Sequence, residues 1–419
     1  MERSTLAAAN REAFERLTSA DPALIDVQPA GKVVPGFQPN TILTSGPPHA
    51  WQEYEGGQRN AIIYGALYEG LADTIEEAEK KLEAGEIVVE PCHHHGCVGS
   101  VAGIYTASMP VFVVENRKGG NRGFCNFYEG ESRRRLNYGV WGDDVRRRLA
   151  FIEETLAPVI GESVRRSEGI PLKPLMARAL RLGDELHSRN TAATLLFTRE
   201  LLPHLVELHD TRPVQVMETL RFLSESDYFF LRLSMAASKA SVDAAHGVEG
   251  SSLVSTMSLS CKGFAIRVSG LDGSWFTGPP AVVEGKFFEG FSEADLHWMG
   301  GESQVTETNG LGGFAQACAF PLQAYQGGTP QAMIEKNRAM YQITMGEHPD
   351  FKIPYFGFRG TPTGIDLFKV LETGIAPVID GGLAGRDGGQ IGAGVLHAPM
   401  ECFEKAAEAF ARRYGTIEG

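Results

Sequence analysis

Between Glu90 and Ser100 the chain reads EPCHHHGCVGS, which puts a thiol, three imidazoles and a second thiol, Cys97, within six residues. Imidazole both gives and takes a proton near neutral pH, and a thiol beside it can be held as thiolate. The run 86–90 (EIVVE) reads as a strand, and strand ends are where α/β folds place ligand sites. Neighbouring side chains alternate sides along a strand, so a turn after Pro91 is needed to aim two of them together. Cys92, His93 and His94 are therefore candidate catalytic residues. The spacing to Cys97 matches no standard zinc pattern, so a metal ion is admissible but not favoured, and no cofactor is expected.

A second constellation is Gly183-Asp184-Glu185-Leu186-His187-Ser188-Arg189-Asn190. On a helix or at its end, Asp184 shares a face with His187, and Glu185 shares one with Arg189. Asp184 could then orient His187 as a general base. Arg189 could hold a carboxylate or phosphate in a planar fork, with Asn190 beside it. The competing reading is an exposed helix laced with surface ion pairs. Two glycine clusters, 307–313 (ETNGLGG) and 388–394 (GGQIGAG), let backbone N–H groups approach an anion, which makes Gly312, Gly313, Gln390 and Gly392 candidate ligands. Neither is a Walker loop or a dinucleotide fingerprint. Arg267, among apolar neighbours in AIRVSG, is either an anion ligand or half of a buried ion pair.

The elements that must position these groups follow from periodicity. Apolar positions predict a helix over 4–20, a strand over 40–45, and helices over 58–72 and 74–84, the last opened by a Thr74/Glu77 capping box. Strands follow at 110–115 and 123–127, giving a βα alternation. Helical patterns fill 143–247, β signals return from 251, and helices are expected at 313–324, 330–345 and 400–414. The fold class is mixed α/β (α+β), two α-β lobes with a helical domain between them: residues 1–145, 146–250 and 251–419. A net charge of −13 without a basic stripe argues against nucleic acid. No apolar run approaches a membrane span, no signal peptide is seen, and six cysteines without paired spacing read as free thiols of a cytoplasmic protein.

The segments WQEYEG, GALYEGLA, VEPCHH, GIYTASMPVFVVEN, GNRGFCN, GDELHSRN, RVSGLDGSWFTGP, TETNGLGG, VLETGIAPVID and GQIGAGVLHAP resemble, in order, those of the domain-of-unknown-function 1116 family. That family includes a subunit of bacterial oxamate carbamoyltransferase, from anaerobic allantoin breakdown. The resemblance spans about 20–415 and implies two α-β lobes with a small helical domain between them. It implies carbamoyl transfer: oxalurate and phosphate giving oxamate and carbamoyl phosphate, or the reverse. It also implies partner subunits, one resembling acyl-CoA synthetases. Cys92, His93, His94, Asp184, Glu185, His187, Arg189 and Asn190 fall in matching blocks, whereas His95 and Cys97 depart from the pattern. The Ser-Thr-Arg-Thr-Arg phosphate loop of ordinary transcarbamoylases is absent.

For that reaction Arg189 and Arg267 are the expected anion ligands, one of His93, His94 and His187 the acid, and the glycine-rich backbone the oxyanion cradle. In an alternative, Cys92 takes the carbamoyl group covalently. The substrate is expected to be a small anion and the assembly a homo-oligomer. Two other readings compete: a metal-dependent amidohydrolase built on the histidine run, and a non-catalytic subunit that completes a partner's site.

Overall fold

The first helix, Arg3–Ser19, belongs to the far end of the chain. Its Ala13 and Leu17 pack on Val242, Ala245, Val248 and Leu253, and Asn10 donates to Ser252 Oγ (2.8 Å) and Asp366 Oδ2 (3.2 Å). The structure, a computed structural model, describes residues 1–417.

The N-terminal half contains β1 (Pro22–Pro29), β2 (Thr41–Thr44), β3 (Val88–Pro91), β4 (Cys97–Val98), β5 (Pro110–Asn116), β6 (Arg122–Asn126) and β7 (Ile170–Pro171). Five of them form a sheet in the order β4-β6-β5-β1-β7. Its pairs are antiparallel except β4 with β6. The βα alternation appears as the parallel pair β2 and β3, bridged by helices Gly56–Glu69 and Ile75–Glu83. The sequence reading missed β1, whose segment PALIDVQP carries a proline at each end that argues against a ladder strand. Thr74 does cap its helix, accepting from Glu77 N at 3.2 Å.

The helices over 143–243 lie on this sheet. Leu24, Phe112 and Val114 share one core with Leu156, Val164, Phe197 and Leu233. Helix Leu231–Asp243 crosses β6 so closely that a Cβ on Gly123 would stand 2.4 Å from Ala236 O, so only glycine fits there.

The remainder holds β8 (Val254–Ser260), β9 (Gly263–Val268), β10 (Phe276–Gly278), β11 (Val282–Phe287), β12 (Thr344–Ile353), β13 (Arg359–Ile365), β14 (Val378–Ala384) and β15 (Gln390–His397). They form the antiparallel sheets β10-β9-β8 and β11-β15-β14 and the pair β12-β13. Helix Met400–Tyr414 buries Phe403 and Phe410 in a second core with Phe264, Ile266 and Val395. The single helix expected over 313–324 is instead a series of 3₁₀ turns, Gly312–Phe314, Gln316–Cys318 and Phe320–Leu322, ending in the one-turn helix Gln323–Gln326. Ala315 and Ala319 leave helical geometry (φ −130° and −126°), and Pro321 removes a donor that a continuous helix would need. The fold is mixed α+β, as expected.

Candidate functional site

The residues of GDELHSRN do not form a helix. They make a tight loop between helices Leu172–Arg181 and Thr191–His209, with Leu186 in the left-handed region (φ 71°). Buried Glu185 curls back to accept from the backbone N–H of His187 (2.8 Å), Ser188 (2.5 Å) and Arg189 (3.1 Å). Asp184 faces away from His187 and accepts from Ala193 N (2.8 Å), anchoring the start of the next helix. Burial pushes its carboxyl up to about 6. Asn190 Nδ2 donates to His187 O (2.8 Å) and so also holds the loop. The expected Asp184–His187 pair is therefore absent, because the helical spacing it relied on is absent.

His187 finds another carboxylate. Its Nδ1 donates to Glu307 Oε1 at 2.8 Å, with Oε2 at 3.0 Å. Fully buried Glu307 also accepts from Gly313 N, Asp380 N and Thr306 Oγ1, each at 3.0 Å. The adjacent Gly312 (φ 55°) has no room for a side chain, since a Cβ there would fall 2.0 Å from Glu307 Oε1. Fixing Nδ1 as the donor leaves Nε2 to exchange a proton with whatever stands before it.

What stands before it is a cavity of about 130 Å³ of water-accessible space, lined by His187, Tyr128, Arg135, Arg232, Asp380 and residues of the Gly300–Gln304 segment other than Glu302, among others. At roughly 10–15 Å³ per water, this is room for a small metabolite. Arg232 rises from helix Leu231–Asp243, is 4% exposed, donates Nη1 to Asn126 Oδ1 (3.0 Å), and has no partner at Nε. Arg135 lies over the rings of Tyr128 and Tyr138, 5.2 and 5.0 Å from their centroids. Its loop is pinned by buried Glu129, which accepts from Leu136 N (2.7 Å), Asn137 N (3.0 Å) and Asn137 Nδ2 (2.8 Å). Burial, reinforced by the neighbouring Glu307 carboxylate, pushes the Asp380 carboxyl up to about 6. The arrangement offers two guanidinium groups for anions beside one oriented proton carrier.

The Cys-His run does not line this cavity. It forms a 3₁₀ turn, Cys92–His95, that sends its members in different directions. Cys92 is buried and donates Sγ to Gly103 O (3.3 Å), and burial and nearby Glu302 drive its thiol well above the usual range, away from thiolate. Buried His93 accepts at Nδ1 from Lys239 Nζ (3.0 Å), an ammonium that is also paired with Asp243 (2.8 Å). Burial and the cations of Lys239 and Arg267 hold His93 well below the ordinary imidazole range. His94 faces outward and accepts from Trp275 Nε1 (2.9 Å). His95 sits between Pro35 O (2.7 Å) and Glu90 Oε2 (2.5 Å). Behind the run, Glu302 accepts from Gly46 N (3.1 Å) and Gly99 N (2.8 Å), and burial pushes its carboxyl up to about 8. Its neighbours Gly301, Ser303 and Gln304 do line the cavity, so the run stands behind one cavity wall.

Of the other expected ligands, Gln390 lines the cavity and Gly313 holds Glu307, while Gly392 lies within β15 against β11. Arg189 turns to Gly183 O (3.0 Å) and Asp184 (3.5 Å), and Arg267 to Asp272 (3.4 Å) and the Trp275 ring. Neither arginine lines the cavity. Sequence reading did not single out Glu307, Arg135, Arg232 or Asp380. Arg232 had a signal, a lone charge in the apolar run YFFLRLSM, whereas Arg135 was hidden in a triple arginine that resembles a solvated surface. Among the described residues no group of three His, Cys, Asp or Glu side chains is placed to hold a metal ion, and no helix is long and apolar enough to cross a membrane.

The model of the oxamate carbamoyltransferase subunit AllG family matches residues 87–303. Over its whole length the chain is similar to two Escherichia coli K12 proteins. It is 40% identical to the uncharacterized protein YahG, covering 98% of this chain and 87% of that one. It is 39% identical to the oxamate carbamoyltransferase subunit AllG, covering 98% and 99%. A crystal structure of a conserved protein of unknown function from Enterococcus faecalis V583 superposes with a TM-score of 0.94 at 37% identity, covering 97% of this chain and 98% of that one.

Proposed function

This chain belongs to the family of the oxamate carbamoyltransferase subunit AllG, and from that premise we propose that it is a subunit of a carbamoyl-transferring complex whose small-molecule site is the His187 cavity. The observation that carries the reading is the His187–Glu307 pair, set beside two arginines in a cavity of metabolite size. Oxalurate and phosphate are both anions, and Arg232 and Arg135 are placed to receive them. A phosphate oxygen attacks the carbamoyl carbon, the bond from that carbon to the oxamate nitrogen breaks, and a proton passes from the phosphate to the departing nitrogen. His187 Nε2 takes and returns that proton, while Glu307 steadies the imidazolium formed in between. The products are oxamate and carbamoyl phosphate. Partner subunits, including a chain resembling acyl-CoA synthetases, complete the assembly.

The test is phosphate-dependent cleavage of oxalurate, measured with the chain alone and with the products of neighbouring genes. Carbamoyl phosphate is expected in the assembled mixture, and its absence from both mixtures overturns the reading. A thiol mechanism at Cys92 has less support, because that sulfur is buried, protonated and outside the cavity lining.

A further inference from the structure

Asp380 on β14, Gln316 in the turn Gln316–Cys318 and Gln326 at the end of the helix Gln323–Gln326 meet in a polar knot at the cavity edge. Gln316 Nε2 donates to Asp380 Oδ1 (2.5 Å), and Gln326 stands near enough to steady the charge of Asp380. Three atoms of the knot still complete no hydrogen bond: Asp380 Oδ2, Gln316 Oε1 and Gln326 Nε2. Their residues are 0%, 0% and 6% exposed. A buried polar atom without a partner is costly, and three on one cluster call for an occupant. Asp380 lines the His187 cavity, whereas Gln316 and Gln326 line a second cavity, of about 200 Å³, beside Thr329 and Lys336.

The chemical types define what fits. A carboxylate oxygen only accepts, so Gln316 must turn its NH₂ toward Asp380 and leave its carbonyl free. The unpartnered set is thus two acceptors and one donor. A primary amide end, H₂N–C=O, presents the complement: two N–H groups and one carbonyl. A carboxylate end has no N–H to offer and would face two acceptors with none.

We propose that Asp380, Gln316 and Gln326 form the subsite that receives the carbamoyl H₂N–C=O end of the substrate, an inference that rests on the carbamoyl-transfer reading above. The arginines then take the anionic end. His187 and Asp380 both line the first cavity, so a carbamoyl end held at Asp380 lies in the same cavity as the proton carrier.

The experiment is calorimetric titration of the assembled complex with oxalurate and with its terminal N,N-dimethyl analogue, which lacks both N–H groups. Wild type is expected to bind oxalurate at least about thirtyfold more tightly. Asp380→Asn and Gln316→Met, each of which removes an acceptor for those N–H groups, are expected to shrink that ratio to under about threefold, whereas Gln326→Met, which removes the donor to a carbonyl that both compounds keep, is expected to weaken both alike. Melting of the empty Gln326→Met chain serves as the folding control, because removing an unpartnered donor leaves Tm equal or higher, whereas a purely structural glutamine would lower it. A wild-type ratio near one, or an unchanged ratio in both Asp380→Asn and Gln316→Met, overturns the subsite even where carbamoyl phosphate is still formed. Failure of both compounds to bind, with no carbamoyl phosphate formed, removes the functional reading and the subsite together.

Discussion

Two histidines, His187 and His93, are both buried in polar surroundings, and their partners make them chemically opposite. His187 donates Nδ1 to a carboxylate and faces a cavity. His93 accepts at Nδ1 from the Lys239 ammonium, with the cation of Arg267 near as well. A carboxylate stabilises the imidazolium that forms during proton transfer, whereas an ammonium opposes it. Density of reactive side chains in sequence is therefore a poor guide to which of them face the cavity. In the crowded run burial holds the Cys92 thiol and the His93 imidazole toward their uncharged forms, and the sparse pair His187 and Glu307 has the geometry of a proton carrier.

The largest expected effect is at that pair. His187→Asn should lower carbamoyl transfer by roughly 10²–10⁴-fold with little change in melting temperature, and steady-state kinetics of the complex would measure it. Next, Arg232→Met should raise KM for the anionic substrate by about 10–100-fold while kcat moves less, because a charge-assisted contact is lost in both the bound and the reacting state. On the other side of the comparison, Glu302→Gln should act on stability. The folded carboxyl holds its proton up to about 8, against 4.5 for the free group. The folded chain thus binds more protons than the unfolded one across that window, and stability falls as pH rises through it. Gln cannot ionise, so thermal melts of the variant between pH 5 and pH 8 should show a flatter profile than wild type. The smallest effects belong to Cys92→Ser and His94→Ala, each expected to leave activity within about threefold. A large loss in either would erase the contrast between the two regions.

Sequence periodicity located helices such as Arg3–Ser19 and Met400–Tyr414, because their apolar stripes face a core. It did not find β1, whose terminal prolines disguise a strand paired on both sides within the first sheet. GDELHSRN stood out in the sequence as a candidate segment, and its His187 does line the cavity. Its true partner was not legible, since Glu307 lies 120 residues away and only the fold brings them together. The helical spacing that suggested Asp184 failed because Glu185 captures three successive N–H groups and bends the chain into a loop. The arginines show the same limit. Arg189 and Arg267 stood in suggestive motifs, yet each has a local partner, while Arg232 and Arg135 reach the cavity from segments that resemble core and surface.

The most direct test compares His187→Asn with the double variant Cys92→Ser/His94→Ala in one assay, carbamoyl phosphate formed from oxalurate and phosphate by the assembled complex. The account predicts that the first variant loses at least about a hundredfold in rate and that the second stays near wild type. Retained activity in His187→Asn together with its loss in the double variant would contradict it and return the chemistry to the Cys-His turn.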